Sequence, residues 1–268
     1  MGSQAVGRQL VFTCALVCVL MLCGCGGTKV LKEAQPIQTT QPLATVSDEQ
    51  VTAILDWVIV RDGPGTWAKN ADWDEYLLRV SNLSDQPIQV TRVIVVDSLD
   101  TRIESHPKRK QLVKGSKQTT RRYKDSGIKV KAGRGAGTML VAGAAVTVIG
   151  VAAASAVATG AALSGAAAGA TSAGAAVGGL LLLGPALAVG GIVRGVRNSA
   201  VSKQIEQRQT VLPLELSAGE ELPLNVFFPL APSPGMVELS YTDATGQHSL
   251  IIDTSTALNG LHIGEPKE

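Results

Sequence analysis

Residues 135–193 contain no Asp, Glu, Lys, Arg or His. A run of 59 residues without one formal charge cannot serve as an ordinary water-facing surface, which carries both signs of charge interspersed. It belongs inside protein or inside lipid. Two subsegments concentrate the stronger apolar residues, 138–158 (TMLVAGAAVTVIGVAAASAVA) and 175–193 (AAVGGLLLLGPALAVGGIV). Each has about the length needed to cross a hydrocarbon layer of ~30 Å at ~1.5 Å rise per residue. A small, weakly polar stretch joins them, and Arg194 and Arg197 follow the second. This pattern predicts an apolar, Gly/Ala-rich α-helical hairpin of membrane type over residues 135–197.

Glycine weakens a helix in water by about 1 kcal/mol relative to alanine, so its abundance in the segment needs a reason. Gly143 and Gly150 lie seven apart, Gly165 and Gly169 four apart, and Gly174 and Gly178 four apart. Small residues at such spacing let helix backbones approach closely where lipid removes the hydrophobic drive for association. The segment resembles glycine-zipper membrane segments. That resemblance implies helix packing through these six glycines and self-association. Pro185 is expected to kink the second helix. At the head of the segment, AGRGAGTMLVAG (132–143) imitates a dinucleotide loop. Gly133 and Gly135 fill its first two glycine places, but Thr138 stands at the third, and no Gly-Lys-Ser/Thr of a Walker loop is present. The glycines are expected to introduce a membrane-type helix, not to cradle a phosphate.

All four cysteines, Cys14, Cys18, Cys23 and Cys25, fall within the first 25 residues. Downstream there is material for neither a disulfide framework nor a thiolate metal site. Arg8 precedes an apolar-dominated run from Leu10 to Leu22, about the length of a signal-peptide core and short for a membrane span. Leu22, Cys23, Gly24 and Cys25 then resemble a bacterial lipobox, and the N-terminus resembles that of bacterial lipoproteins. The resemblance implies a signal peptide over 1–24 and acylation, including palmitate, of Cys25. Gly26 following Cys25 implies sorting to the outer membrane, facing the periplasm. Residues 25–47, with Pro36 and Pro42, read as a lipidated tether.

Beyond the tether the pattern turns to strands. Tyr76, Leu78 and Val80 alternate with Glu75, Arg79 and Ser81, which predicts a strand with one buried face. NLSDQP (82–87) is turn chemistry. In IQVTRVIVV, Ile88 and Val90 share a parity that Val93 and Val95 do not, which predicts a bulge near Thr91 or a strand covered on both faces. ILDWVIV is a further strand candidate. After residue 209, alternation returns around Leu212–Leu216, Leu222–Phe228, Val237–Tyr241 and Leu250–Ile252, with turn residues between. Neither half has enough strands for a good core. The predicted fold is mainly β: one immunoglobulin-like antiparallel β-sandwich, interrupted by the inserted hairpin. Its first half spans 48–104 and its second half, with the C-terminal tail, 198–268. Trp57, Trp67 and Trp73 are expected to pack at one edge. Asp72, Asp74 and Glu75 lack the spacing of a calcium loop and are expected in a solvated acidic turn.

Residues 105–134 read as a basic loop. Its part from 108 on holds eleven Lys/Arg against one acid, and since the whole chain is only +2, the remainder stands at about −8. A solvated loop, an anionic lipid or lipopolysaccharide surface, and nucleic acid are the three readings of such a stretch. Lys108, Arg109, Lys110, Arg121 and Arg122 are the residues assigned to an anionic surface. Nucleic acid is set aside, because Tyr123 alone offers stacking and an exported protein meets little of it. His106, His248 and His262 form no spaced ligand pair, Ser164 lacks the first glycine of a nucleophile elbow, and no cofactor or metal is called for. His248 is expected at a strand surface or edge. The chain reads as a non-enzymatic envelope lipoprotein whose partner is membrane lipid, acting in binding, scaffolding or envelope integrity. The alternative is a membrane-active protein whose hairpin oligomerises into a pore or translocation element.

Overall fold

The computed structural model describes residues 28–34, 37, 41–136 and 192–264. Cys25, the signal peptide, and Gly143, Gly150, Gly165, Gly169, Gly174 and Gly178 of the expected hairpin lie outside the described residues. Within them the chain is mainly β, with antiparallel pairing throughout. In chain order the elements are β1 (Lys29–Val30), β2 (Ala44–Ser47), β3 (Val51–Ile59), β4 (Ala68–Lys69), β5 (Trp73–Asn82), β6 (Ile88–Val96) and β7 (Arg102–Glu104). Helices α1 (Arg109–Asp125) and α2 (Ile192–Arg208) follow, then β8 (Leu214–Leu216), β9 (Glu221–Pro229), β10 (Met236–Asp243) and β11 (Gly246–Asp253).

Strands from both sides of the chargeless segment interleave. One sheet runs β2-β3-β5-β9 and the other β11-β10-β6-β7, with β8 also on β6; β1 and β4 form a small pair. The β5–β9 and β6–β10 pairings therefore join the two halves of the sequence, each of which has too few strands to close a core alone. Leu55, Leu78 and Leu224 from the first sheet, and Val93, Val95, Val237 and Ile252 from the second, lie in one buried cluster. Leu112 of α1 and Val201 and Ile205 of α2 belong to the same cluster, so both helices dock on the core.

Local irregularities follow the sequence. On β6, Val90 pairs with Tyr241 and Arg92 with Ser240, so Thr91 is the extra residue of a bulge, and its hydroxyl donates to Ser240 O at 3.1 Å. The parity break within IQVTRVIVV thus has both of its expected causes, since Val93, Ile94, Val95 and Val96 are all buried. A second bulge falls at Asp56 on β3, between Leu55 and Trp57. In the β5–β6 turn, Asn82 Oδ1 accepts from Ser84 N while its amide donates to Gln86 O.

Two expectations change. Residues 25–47 do not act throughout as a tether: Lys29 and Val30 pair with Lys69 and Ala68, Leu31 N donates to Trp67 O, and Ala44–Ser47 pair with β3. The basic stretch is no loop over Arg109–Asp125, which is helix α1. Its buried stripe is Leu112, Ser116, Thr119 and Tyr123, at helical spacing but largely polar. Two of its polar members, Ser116 and Tyr123, are hydrogen-bonded. Ser116 Oγ accepts from Leu230 N at 3.0 Å, and Tyr123 Oη donates to Pro232 O at 3.2 Å. Burial pushes the Tyr123 hydroxyl above the ordinary tyrosine pKa. Gly115 has a packing reason, since a Cβ there would stand 2.5 Å from Pro229 Cγ on β9.

Candidate functional site

The chargeless segment is described at its two ends, Gly135–Ala136 and the start of α2, and the chain flanking each is built into one end of the four-stranded sheet. On the first side, Lys131 N donates to His262 O (2.9 Å), His262 N to Arg134 O (2.7 Å) and Gly264 N to Lys129 O (2.7 Å). Residues 129–134 thus pair with 262–264 as a short antiparallel latch, which includes the Val130–Ile263 bridge. Gly133 and Gly135 both have φ of +78°, a conformation that costs other residues strain. A Cβ on Gly133 would lie 2.0 Å from Arg61 O, and one on Gly135 2.7 Å from Gly260 O. These glycines are therefore required by close backbone contact. They shape a turn against the body, and helix begins at Ala136 directly after them, as the sequence predicts; the course of that helix from residue 137 on lies outside the described residues.

His262 is the pin of this latch. It is fully buried, with φ of +62°. Gly133 N–H donates to its Nδ1 at 3.1 Å, so the ring proton resides on Nε2, which donates to Asp74 Oδ2 at 2.8 Å. Asp74 is fully buried as well, and its Oδ1 and the Tyr76 hydroxyl have no partner among the described residues. Burial, and secondly the Asp74 carboxylate, hold the Tyr76 hydroxyl well above the ordinary tyrosine range.

On the second side α2 ends on Arg208, whose Nε donates to Glu75 Oε1 at 2.9 Å while its guanidinium stacks over Trp67 at 5.3 Å. Trp67 Nε1 donates to Glu75 Oε2 at 2.7 Å. Glu75 is 1% exposed. The expected acidic turn is therefore corrected: Asp74 and Glu75 are core residues on β5, facing opposite sides of the sheet, and Asp72 pairs with Arg61. The three tryptophans are buried.

The chain nearest Cys25 arrives at the same place. Thr28 is 7% exposed and its hydroxyl accepts from Arg109 Nη2 at 3.0 Å. Arg109 also lies over the Trp73 ring at 5.9 Å. Arg122 bonds the buried Asp97 at 2.6 Å and sits 5.9 Å over Tyr123. So two of the five cations assigned from sequence to an anionic surface, Arg109 and Arg122, hold the fold together. Lys108 caps the N-terminus of α1 through its backbone, and Lys108, Lys110 and Arg121 are all exposed.

At the opposite end, an open cleft of about 780 Å³ lies between the β2–β3 turn and the β10–β11 hairpin. Several of its polar groups are already bonded, although Gln50 Oε1 is buried without a partner among the described residues. Tyr241 Oη donates to Asp48 Oδ2 at 2.7 Å, its ring stacks on His248, and His248 Nε2 lies 3.0 Å from Asp243 Oδ1. His248 occupies the edge strand β11, as its sequence context predicts. Burial and the Asp48 bond raise the Tyr241 hydroxyl out of the range in which it would act as a base. Among the described residues no group of three or more His, Cys, Asp or Glu is placed to hold a metal ion, and no helix is long and apolar enough to cross a membrane.

Comparison with protein-family models, with curated proteins and with solved structures gave no match. The latch was not foreseen from sequence, because His262 has no spaced partner there and Asp74 is 188 residues away. Its one legible signal is the pair of glycines in AGRGAG, which the neighbouring apolar run directs toward other readings.

Proposed function

We propose that the protein is a non-enzymatic cell-envelope lipoprotein. In this reading a periplasmic body of immunoglobulin-like sandwich type is held at the outer membrane by lipid on Cys25 and by a glycine-zipper-like hairpin between α1 and α2. It acts in binding, scaffolding or envelope integrity. The observation that supports the reading is convergence. Residues 61–72 contact the latch through Arg61, β1 through Ala68 and Lys69, its neighbours Leu31 and Thr28 through Trp67 and Asn70, and the end of α2 through Trp67. The chain leading from Cys25 and the chain bounding the chargeless segment are thus gathered at one end of the body. Two membrane attachments at one end act together, and a second attachment turns reversible binding into stable anchoring.

Membrane fractionation tests this. Wild type, a Cys25→Ala variant, a variant lacking residues 137–191, and the combination are washed with alkaline carbonate. Each single variant is expected to remain with the membrane in large part and the combination to be released. Retention of the combination, or release of wild type, contradicts the reading.

A further inference from the structure

Helix α1 sorts its cations by angle. At ~100° per residue, Lys110, Lys114, Lys117, Arg121 and Lys124 fall within an arc of about 80°. The buried residues Leu112, Ser116, Thr119 and Tyr123 occupy the opposite side of the helix. All five cations are exposed, and none forms a salt bridge with a described residue. The stripe runs straight for roughly 21 Å at ~1.5 Å per residue. Asp125, at the last turn, is the one acid on the helix. The other two arginines of the helix are committed to Thr28 and Asp97, so the fold has divided one basic sequence into structural and free cations.

We propose that this stripe docks on the anionic phospholipid headgroups of the leaflet that holds residue 25. Charge and shape favour a flat polyanionic surface: five cations in a row, with no acid between them. The length of chain beyond the described residues favours lipid. Thr28 is bonded to the first residue of α1, and Cys25 lies three residues earlier, within ~11 Å even when fully extended. Any attachment at Cys25 therefore brings the start of this helix to the bilayer surface. A single-stranded nucleic acid fits poorly, because Tyr123, the one aromatic residue of α1, is fully buried and offers no face for stacking. The proposal rests on the envelope reading for its choice of surface. It adds to it that the body lies with α1 against the headgroups instead of hanging free on a tether. Each cation near such a surface is worth roughly fivefold in partition, and the attraction decays over a Debye length of ~8 Å at physiological salt.

Lysine footprinting reads the contact directly. Full-length protein is reconstituted in vesicles of phosphatidylcholine alone, or of phosphatidylcholine with phosphatidylglycerol, and treated briefly with an acetylating reagent. Mass spectrometry then follows Lys110, Lys114, Lys117 and Lys124. The expected result is several-fold slower acetylation of these four in the anionic vesicles, reversed by high salt. Exchanging Lys114, Lys117 and Arg121 for glutamate should abolish the difference at Lys110 and Lys124, with thermal unfolding confirming an intact fold. Equal acetylation in the two vesicles overturns the proposal. So does protection by duplex DNA at the same salt without protection by phosphatidylglycerol, which assigns the stripe to nucleic acid. Carbonate retention is scored separately, so an anchored protein with unprotected lysines refutes the stripe alone, and a released protein with protected lysines refutes the anchoring alone.

Discussion

At one end of the four-stranded sheet, Leu55, Leu78 and Leu224 are buried while their strand neighbours Ile54, Arg79 and Pro223 reach water. At the other end Ile59, Glu75 and Phe227 are buried as fully as Val58, Tyr76 and Val226 on the opposite face. The first end is an ordinary half-solvated antiparallel sheet. The second is covered on its outer face by the helices that flank the chargeless segment, and it holds the buried charges Asp74 and Glu75. The difference teaches that residues 105–208 are more than an excursion from a finished β-body. Their two flanks complete the core at one end.

Substitutions at the covered end should cost far more than matching ones at the open end. The largest effect is expected for Arg208→Met, which leaves the buried Glu75 carboxylate with Trp67 N–H as its remaining partner. Breaking such a pair costs on the order of 3 kcal/mol. Denaturant unfolding should show this loss, and Glu75→Gln in the same chain should recover part of it. Gly133→Ala comes next, at about 2–3 kcal/mol, because a methyl group must enter the space of Arg61 O in an unfavourable backbone conformation. Gly115→Ala is a sharper test of docking. An isolated helix would gain about 1 kcal/mol. Here contact with Pro229 should reverse the sign, to a net loss of about 1 kcal/mol, read as a lower Tm. If the Tm rises, α1 is not seated on β9.

At the open end, Arg79 bonds Asp56 through two nitrogens and reaches Glu221, all of them substantially exposed. Arg79→Ala should cost at most about 1 kcal/mol. The Ser81 hydroxyl, and secondly Arg79, hold the Glu221 carboxyl below the ordinary glutamate range. Its contribution is therefore complete above the unfolded glutamate pKa and fades as pH falls through the lower folded value. A Glu221→Gln variant should differ from wild type slightly at neutral pH and not at all at strongly acidic pH.

The open end was the legible one. There Leu78 and Val80, or Leu222 and Leu224, alternate with residues that face water, and period-two patterning reports burial on one side. At the covered end both faces are buried, so Trp73–Tyr76 and Val226–Pro229 carry no alternation to read. Helix α1 was hidden for a different reason. Its inward stripe uses Ser116 and Thr119 where an apolar stripe is the usual signal, while its cations at 110, 114, 117, 121 and 124 do keep helical spacing. Glu75 and Asp74 read as solvated acids in the sequence because their partners, Arg208 and His262, lie far along the chain. No local pattern discloses a pairing of that separation.

Hydrogen exchange on the full-length protein tests most directly whether the chargeless segment is rooted in the body. The amides of Lys131, Gly133, His262 and Gly264 each donate within the latch. They should exchange as slowly as those of β5, opening only when the sheet does. Exchange of these four at the rate of free loops, while β5 stays protected, would contradict a segment rooted in the core and return residues 129–136 to the status of a linker.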